Sequence, residues 1–372
     1  MALMNLRPRA IAFGGAAVLV VSVGIPLSER EAGAGNRGPA PAQRAAAAAE
    51  SLSRQVGRLV VLRFPGTSAP AYVREALREG RVAGVILFRD NLKSPAQAKV
   101  LTAQLRQGSW SSPLICVDQE GGKVRIVPWA GPARSAAQQA AGGTERADAT
   151  AAARGLRAAG INVSLAPVAD VPSVPGAALA SRAFSTDFAH VAESVAKSVR
   201  GWRKGSVAPA VKHFPGLGGA TVNTDDGSVT IARSAAQLRR RDLLPFRTAI
   251  AAGTPLVMVG HALYPALDRR RIASQSKAVV EALLRGELGY RGVVITDSTE
   301  AAAVQAVTGL AQAAVRNVRA GVDLVLTTGR GSYSKIYRAL LTEARRDPVF
   351  RARVRESAAR VAALQQALAR VR

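Results

Sequence analysis

A single cysteine, Cys116, excludes an internal disulfide, so a chain of 372 residues has to be held by its buried core. Aromatic residues make up only 4% of the chain. With no compact basic reading helix either, this argues against stacking platforms for nucleic acid. The three histidines, His190, His213 and His261, lack metal-ligand spacing. No Gly-x-Ser-x-Gly elbow occurs. Gly216-Leu217-Gly218-Gly219 is no dinucleotide loop, because Pro215 precedes it and no amphipathic helix follows closely. Acidic residues are scarce too, with 25 Asp+Glu against 51 Lys+Arg and a formal charge of +26. Such a charge favours anionic surroundings, and a general excess of Arg and Ala in the composition accounts for it equally well.

The first residues are basic, and 10–27 carry no charge. Residues 1–27 therefore read as an export signal, or as an uncleaved signal anchor, since the apolar run approaches bilayer-spanning length. Residues 28–49, rich in Ala, Gly and Pro without apolar periodicity, read as a linker. An exported protein of this charge points to the anionic cell envelope rather than nucleic acid as its polyanionic surroundings.

What is present from residue 50 to 372 is a regular alternation. Short apolar or β-branched runs fall at 59–64, 84–88, 114–117, 161–165, 209–211, 256–259, 293–296 and 324–326. Helical spacing falls between most of them, at 95–107, 144–159, 189–203, 234–252 and 276–287. Continuous apolar strands alternating with helices predict a parallel α/β sheet covered on both faces. Eight such units fit one (β/α)8 TIM-type barrel, with an open doubly wound sheet as the other architecture. The stretch 347–372 reads as an Arg-rich amphipathic helix expected to pack on the barrel.

Several runs end in chemistry. Val117 leads into Asp118-Gln119-Glu120, Val211 into Lys212-His213, Val259 into Gly260-His261, and Thr296 into Asp297. In a closed barrel these strand ends form one face, and that face carries the active site. The glycine-rich loop after His213 leads to Asn223-Thr224-Asp225-Asp226-Gly227 and is free to approach a ligand closely.

Lys212-His213-Phe214-Pro215-Gly216, Val117-Asp118-Gln119-Glu120-Gly121-Gly122-Lys123-Val124, Ala166-Pro167-Val168-Ala169-Asp170-Val171 and Gly292-Val293-Val294-Ile295-Thr296-Asp297 occur in one order and spacing. In this the chain resembles glycoside hydrolase family 3, and within it the single-domain bacterial β-N-acetylglucosaminidases. The resemblance implies a (β/α)8 barrel, retention of anomeric configuration, a carbohydrate substrate, and no metal or organic cofactor. It implies Asp297 as nucleophile; the residue could otherwise cap the helix that follows. It also implies sugar contacts from Asp118, Arg182, Lys212 and His213. Asp170 and His261, at strand ends as well, are expected to shape the sugar-binding site.

Three departures from the family pattern stand out. The loop histidine that serves as acid/base in the similar enzymes is replaced by Asp225, which can carry a proton if its pKa is raised, for instance by Asp226 beside it. An Asx-turn role is the other reading of Asp225. Where the family places a further arginine, this chain has Ile126, with Arg125 beside it as a substitute sugar ligand. The nucleophile motif drifts to Asp297-Ser298-Thr299-Glu300-Ala301. The expectation is therefore a retaining exo-β-glycosidase, foremost a β-N-acetylhexosaminidase of cell-wall or related glycans. β-Glucosidase-type specificity, or a barrel that binds sugar with impaired turnover, stays open.

Overall fold

The structure, a computed structural model, describes residues 50–370. The expected signal segment and linker lie outside these residues, and no described helix is long and apolar enough to cross a membrane.

Strands β1 (Val60–Arg63), β2 (Gly84–Ile86) and β3 (Leu114–Val117) are followed by a small hairpin, β4 (Gln119–Gly121) and β5 (Val124–Arg125). Then come β6 (Val163–Ser164), β7 (Ala208–Phe214), β8 (Leu256–Val259), β9 (Val293–Thr296) and β10 (Val325–Thr327). All but the hairpin join one 8-stranded sheet in the order β10-β1-β2-β3-β6-β7-β8-β9, and all its pairs are parallel. A parallel bridge between Ile295 and Leu324 joins β9 to β10. The sheet thus closes on itself as a (β/α)8 barrel, and the doubly wound alternative falls away.

The alternation along each strand explains why the runs are apolar throughout. Val61, Ile86, Met258 and Ile295 point into the barrel and meet there. Val60, Leu62, Val257 and Val294 point outward under the helices. Cys116 belongs to the inner layer, where burial first, and then the Asp118 charge, pushes its thiol far above the ordinary range. Such a thiol is inert.

The C-terminal helix Pro348–Arg370 packs as expected. Phe350, Val354 and Ala358 join the outer layer, while Val361 and Leu364 reach the inner cluster and close the end opposite the catalytic face. A buried carboxylate pins it: Asp323 accepts from Arg285 at 2.6 Å, Arg353 at 2.8 Å, Arg360 at 3.2 Å and Ser357 at 2.9 Å.

Two helices depart from the regular spacing predicted for them. The 234–252 segment breaks into Ala235–Gln237, a π-turn over Leu238–Asp242, and Leu244–Ala251, and Ala278–Glu287 is a π-helix throughout. The Leu243 N–H reaches the Leu238 carbonyl at 3.0 Å, and the Leu288 N–H that of Leu283 at 2.9 Å. The wider turn lets Leu238 and Leu243 both face the core, which an α-helical step of this length would not allow.

Candidate active site

The strand ends converge on an open pocket of about 380 Å³ at the C-terminal mouth of the barrel. Asp118 from β3, Asp297 from β9 and Asp225 from the loop after β7 all line it.

On one side lies a buried charge network. Lys212 Nζ sits 2.6 Å from Asp118 Oδ1 and 2.6 Å from Glu120 Oε1. Arg182 closes the network with a two-pronged contact to Glu120, at 2.8 Å through Nε and 2.6 Å through an Nη. Burial alone would raise the Glu120 pKa, but Lys212 and Arg182 outweigh it and hold the carboxyl at about 2. Burial would likewise lower Lys212, yet Asp118 and Glu120 keep it charged. Asp118, with its side chain 23% exposed, presents the open edge of this network to the pocket. Two cations and two carboxylates offset one another, so the network can orient donors and acceptors toward sugar hydroxyls without leaving a charge buried alone. The hairpin that turns Glu120 inward is stapled by Gln119, whose amide donates to the Val127 carbonyl at 2.8 Å and accepts from the Val127 N–H at 2.9 Å.

His213 is fixed from behind. Asp170 is fully buried, and its carboxylate meets His213 Nδ1 at 2.6 Å, the His213 N–H and the Leu217 N–H. The bond to Asp170 assigns the proton to Nδ1 and aims Nε2 at Asp297 Oδ2, 3.7 Å away. The Lys212-His213 peptide bond is cis.

Asp297 follows β9, with Oδ1 accepting from the Ser298 N–H at 2.7 Å and its own N–H donating to the Val259 carbonyl at 3.1 Å. It does not cap the next helix, Ala302–Gln305, whose N-cap is Ala301. Burial pushes its pKa up, but His213, His261, Lys212 and the Ser298 N–H outweigh burial and hold the carboxyl below the usual range. His261 acts through the backbone beside it: Nε2 donates to the Ser298 carbonyl at 3.0 Å and Nδ1 accepts from Ser274 Oγ at 2.9 Å. Burial lowers its pKa, against the opposing charge of Asp297. Asp170 and His261 are thus both fully buried, behind the residues that line the pocket.

The Asx turn in the following loop belongs to Asn223, whose side chain accepts from the Asp225 N–H at 3.4 Å and donates to Asp225 Oδ2 at 3.2 Å. Asp225 is exposed as a residue, yet its carboxyl lines the pocket. Its pKa is raised, first by burial of the carboxyl and then by the charge of Asp297. The like charge expected from Asp226 is therefore supplied by the nucleophile candidate across the pocket. The loop is docked by its backbone, with the Ala302 N–H reaching the Asp225 carbonyl at 3.2 Å and the Ala303 N–H reaching that of Thr224 at 3.0 Å.

Arg125 stays apart from this assembly. It pairs with Gln119 on the hairpin, and among the described residues its guanidinium makes no hydrogen bond or ion pair. The sequence reading passed over Glu120, although it stands in the motif after β3, and it passed over Arg63, Phe88, Ser298 and Thr328, which also line or edge the pocket. Among the described residues no group of three or more His, Cys, Asp or Glu is arranged to hold a metal.

Several known proteins are similar to this chain in sequence and fold. Residues 51–364 match the glycosyl hydrolase family 3 N terminal domain. A protein of Arthroderma benhamiae described as an uncharacterized secreted glycosyl hydrolase is 34% identical over 88% of this chain and 98% of its own length. A beta-hexosaminidase of Stenotrophomonas maltophilia is 36% identical over 72% of this chain and 82% of its own. Among solved structures, a beta-N-acetylhexosaminidase of Beutenbergia cavernae superimposes with a TM-score of 0.78 at 35% identity, covering 85% of this chain and 99% of that one. A family 3 beta-N-acetylglucosaminidase of a Paenibacillus species gives 0.81 at 36% identity, covering 86% of this chain, which spans 63% of that longer one. With the match running through nearly all of the barrel, and the paired carboxylates at its mouth, this chain belongs to glycosyl hydrolase family 3 and is a glycoside hydrolase.

Proposed function

We propose that the barrel is a retaining, exo-acting β-N-acetylhexosaminidase in which Asp297 is the nucleophile and Asp225 the acid/base. The observation that carries this reading is that both carboxyls line one pocket while their surroundings push their proton affinities in opposite directions. Such a pair divides the roles of acid and nucleophile. The names of similar proteins support the acetamido sugar.

In the first step an Asp297 oxygen attacks the anomeric carbon while Asp225 gives its proton to the glycosidic oxygen. The bond to the leaving group breaks, a glycosyl ester forms on Asp297, and the aglycone departs as an alcohol. In the second, Asp225 takes a proton from water, the water oxygen attacks the anomeric carbon, and the ester breaks. Both carboxyls return to their starting states. Asp118, Lys212, Arg182 and His213 hold the sugar hydroxyls meanwhile. Export through residues 1–27, whether the signal is cleaved or kept as an anchor, and attraction of a +26 chain to an anionic envelope would place the enzyme on cell-wall glycans.

The test is hydrolysis of p-nitrophenyl β-N-acetylglucosaminide and β-glucoside by residues 50–372, with Asp297→Ala and Asp225→Asn alongside. Activity on the acetamido sugar alone, lost in Asp297→Ala, is expected, as is labelling of Asp297 by a 2-fluoro glycoside. Sugar binding without turnover or labelling would instead make the protein a sugar-binding barrel, the reading favoured by Asp225 standing where a histidine is expected.

A further inference from the structure

Two stretches of the chain hold three arginines in a row. In Arg239-Arg240-Arg241, on the π-turn, acids answer the charge: Arg239 Nε lies 2.8 Å from Glu287, and Arg241 is close enough to act on the buried Asp242. Arg269-Arg270-Arg271 differs. All three residues are exposed, and among the described residues none of their guanidiniums makes a hydrogen bond or ion pair. The acid next to them is occupied elsewhere. Asp268 Oδ1 accepts from the backbone N–H of Arg270 at 2.9 Å and of Arg271 at 3.1 Å, while Oδ2 accepts from Ser276 Oγ at 2.7 Å. This Asx turn fixes the backbone of the run without using its side chains.

The run is the tip of an excursion, 261–276, that leaves the catalytic end of β8 and returns to it. An antiparallel bridge between Leu263 and Ile272 closes its neck, and the Ser274 N–H reaches the Gly260 carbonyl at 3.1 Å. On its other side the neck joins the loop that carries Asp225. Leu263 bridges Thr230 there, its N–H donating to the Val229 carbonyl at 2.8 Å and its carbonyl accepting from the Ile231 N–H at 2.8 Å. The arginines therefore stand on the catalytic face, on a turn braced from both sides. Three unpaired guanidiniums on a fixed turn suit a repeating anion, because the planar fork of each matches the oxygens of a phosphate. A bilayer fits less well, since none of the large exposed apolar side chains belongs to this excursion and nothing there can insert among acyl chains. Nucleic acid fits less well too. The aromatic residue of the excursion, Tyr264, is buried with its hydroxyl on the Gly216 carbonyl, so no ring is offered to a base.

We propose that the Arg269-Arg270-Arg271 tip is a docking site for a linear polymer that carries phosphates along its backbone, and that it tethers the barrel with its mouth beside that polymer. The inference goes beyond the glycosidase reading, and its test needs no turnover.

The probe is long-chain inorganic polyphosphate, titrated over a salt series. The protein is compared with the combined variant Arg269→Gln, Arg270→Gln, Arg271→Gln, and with a control that removes the same charge from three exposed helical positions, Arg154→Gln, Arg200→Gln, Arg355→Gln. Losing three phosphate contacts should flatten the slope of log affinity against log salt by about 2 and weaken binding about 100-fold near 0.1 M salt. Each single substitution at the tip should flatten the slope by about 0.7, and the control should hardly change it. Because Asp268 bonds to backbone N–H groups, the melting temperature should stay where it is. Equal losses in the two combined variants, or an unaltered slope in the tip variant, would overturn the site and leave only diffuse attraction to the net charge. Tighter binding to phosphatidylglycerol vesicles than to polyphosphate would overturn the polymer as partner in favour of a lipid surface.

Discussion

Ala302→Pro separates the position of Asp225 from its chemistry. Ala302 opens the helix Ala302–Gln305, and its N–H donates to the Asp225 carbonyl at 3.2 Å. Proline is tolerated at a first helical position, where its missing N–H breaks no intrahelical bond. Ala301, at φ −51° and ψ 140°, already holds the backbone that a residue before proline prefers. The substitution therefore spares the helix but removes the donor and sets a ring methylene against the loop carbonyl. Losing one such bond costs about 0.5–1.5 kcal/mol net, or about twofold to thirteenfold in the docked population of the loop. The readout is kcat/KM across aryl β-N-acetylglucosaminides. Phenyl glycoside, which needs a proton on its leaving oxygen, should lose that factor. Dinitrophenyl glycoside, which does not, should lose little, and the melting temperature should hardly move. Equal losses on both substrates, or none on either, would refute the claim that loop docking delivers Asp225.

In the proposed mechanism activity requires Asp297 ionised and Asp225 protonated, so kcat/KM should be bell-shaped, with the acid limb below and the alkaline limb above the ordinary aspartate range. Asp225→Asn should slow phenyl glycoside hydrolysis by about 10²–10⁴ and erase the alkaline limb alone; a surviving limb would assign it to another group. Glu120, held at about 2 in the fold against its usual 4.5, stabilises the barrel fully above pH 4.5 and loses that contribution as pH falls toward 2. Glu120→Gln should therefore flatten the acid side of a melting-temperature profile, and an unaltered slope would contradict the network. Asp323→Asn leaves Arg285, Arg353 and Arg360 facing a neutral amide and should cost about 3–5 kcal/mol in urea unfolding, whereas a loss below about 1 kcal/mol would mean the C-terminal helix is held by packing alone.

All eight barrel strands were legible because each is buried on both faces, inward by Val61 or Met258 and outward by Val60 or Val257, which writes a continuous apolar run. The π-turn over Leu238–Asp242 was not, since one residue added to a turn leaves composition and approximate periodicity intact. Among site residues, those at strand ends stood out, and so did the substitution at Asp225. Glu120 was hidden because Gly121-Gly122 announces a turn but not that the hairpin aims this side chain inward. Arg63 ends β1 like the catalytic residues end their strands, but in a chain with 51 Lys+Arg a lone arginine carries little signal. His261 ended its strand conspicuously, and only its bonds to Ser274 and Ser298 place it behind the nucleophile.

In the proposed mechanism, a carboxyl in place of the loop imidazole makes the two halves of the reaction depend on each other. In the free enzyme the charge on Asp297, sustained by His213, His261, Lys212 and the Ser298 N–H, adds to burial in keeping Asp225 protonated. Once Asp297 becomes a glycosyl ester its charge is gone, and with it that part of the push on Asp225. Asp225 has just given up its proton, and the uncharged ester now favours the carboxylate needed to accept one from water. Ionisation of the nucleophile thus sets the proton state of its partner in each half of the cycle, with no third titrating group required. Trapping the ester with a 2-fluoro sugar isolates the second state, and carbon NMR titration of Asp225 there should give a pKa below that of the free enzyme. An equal or higher value would mean that burial alone, and not Asp297, governs the acid/base.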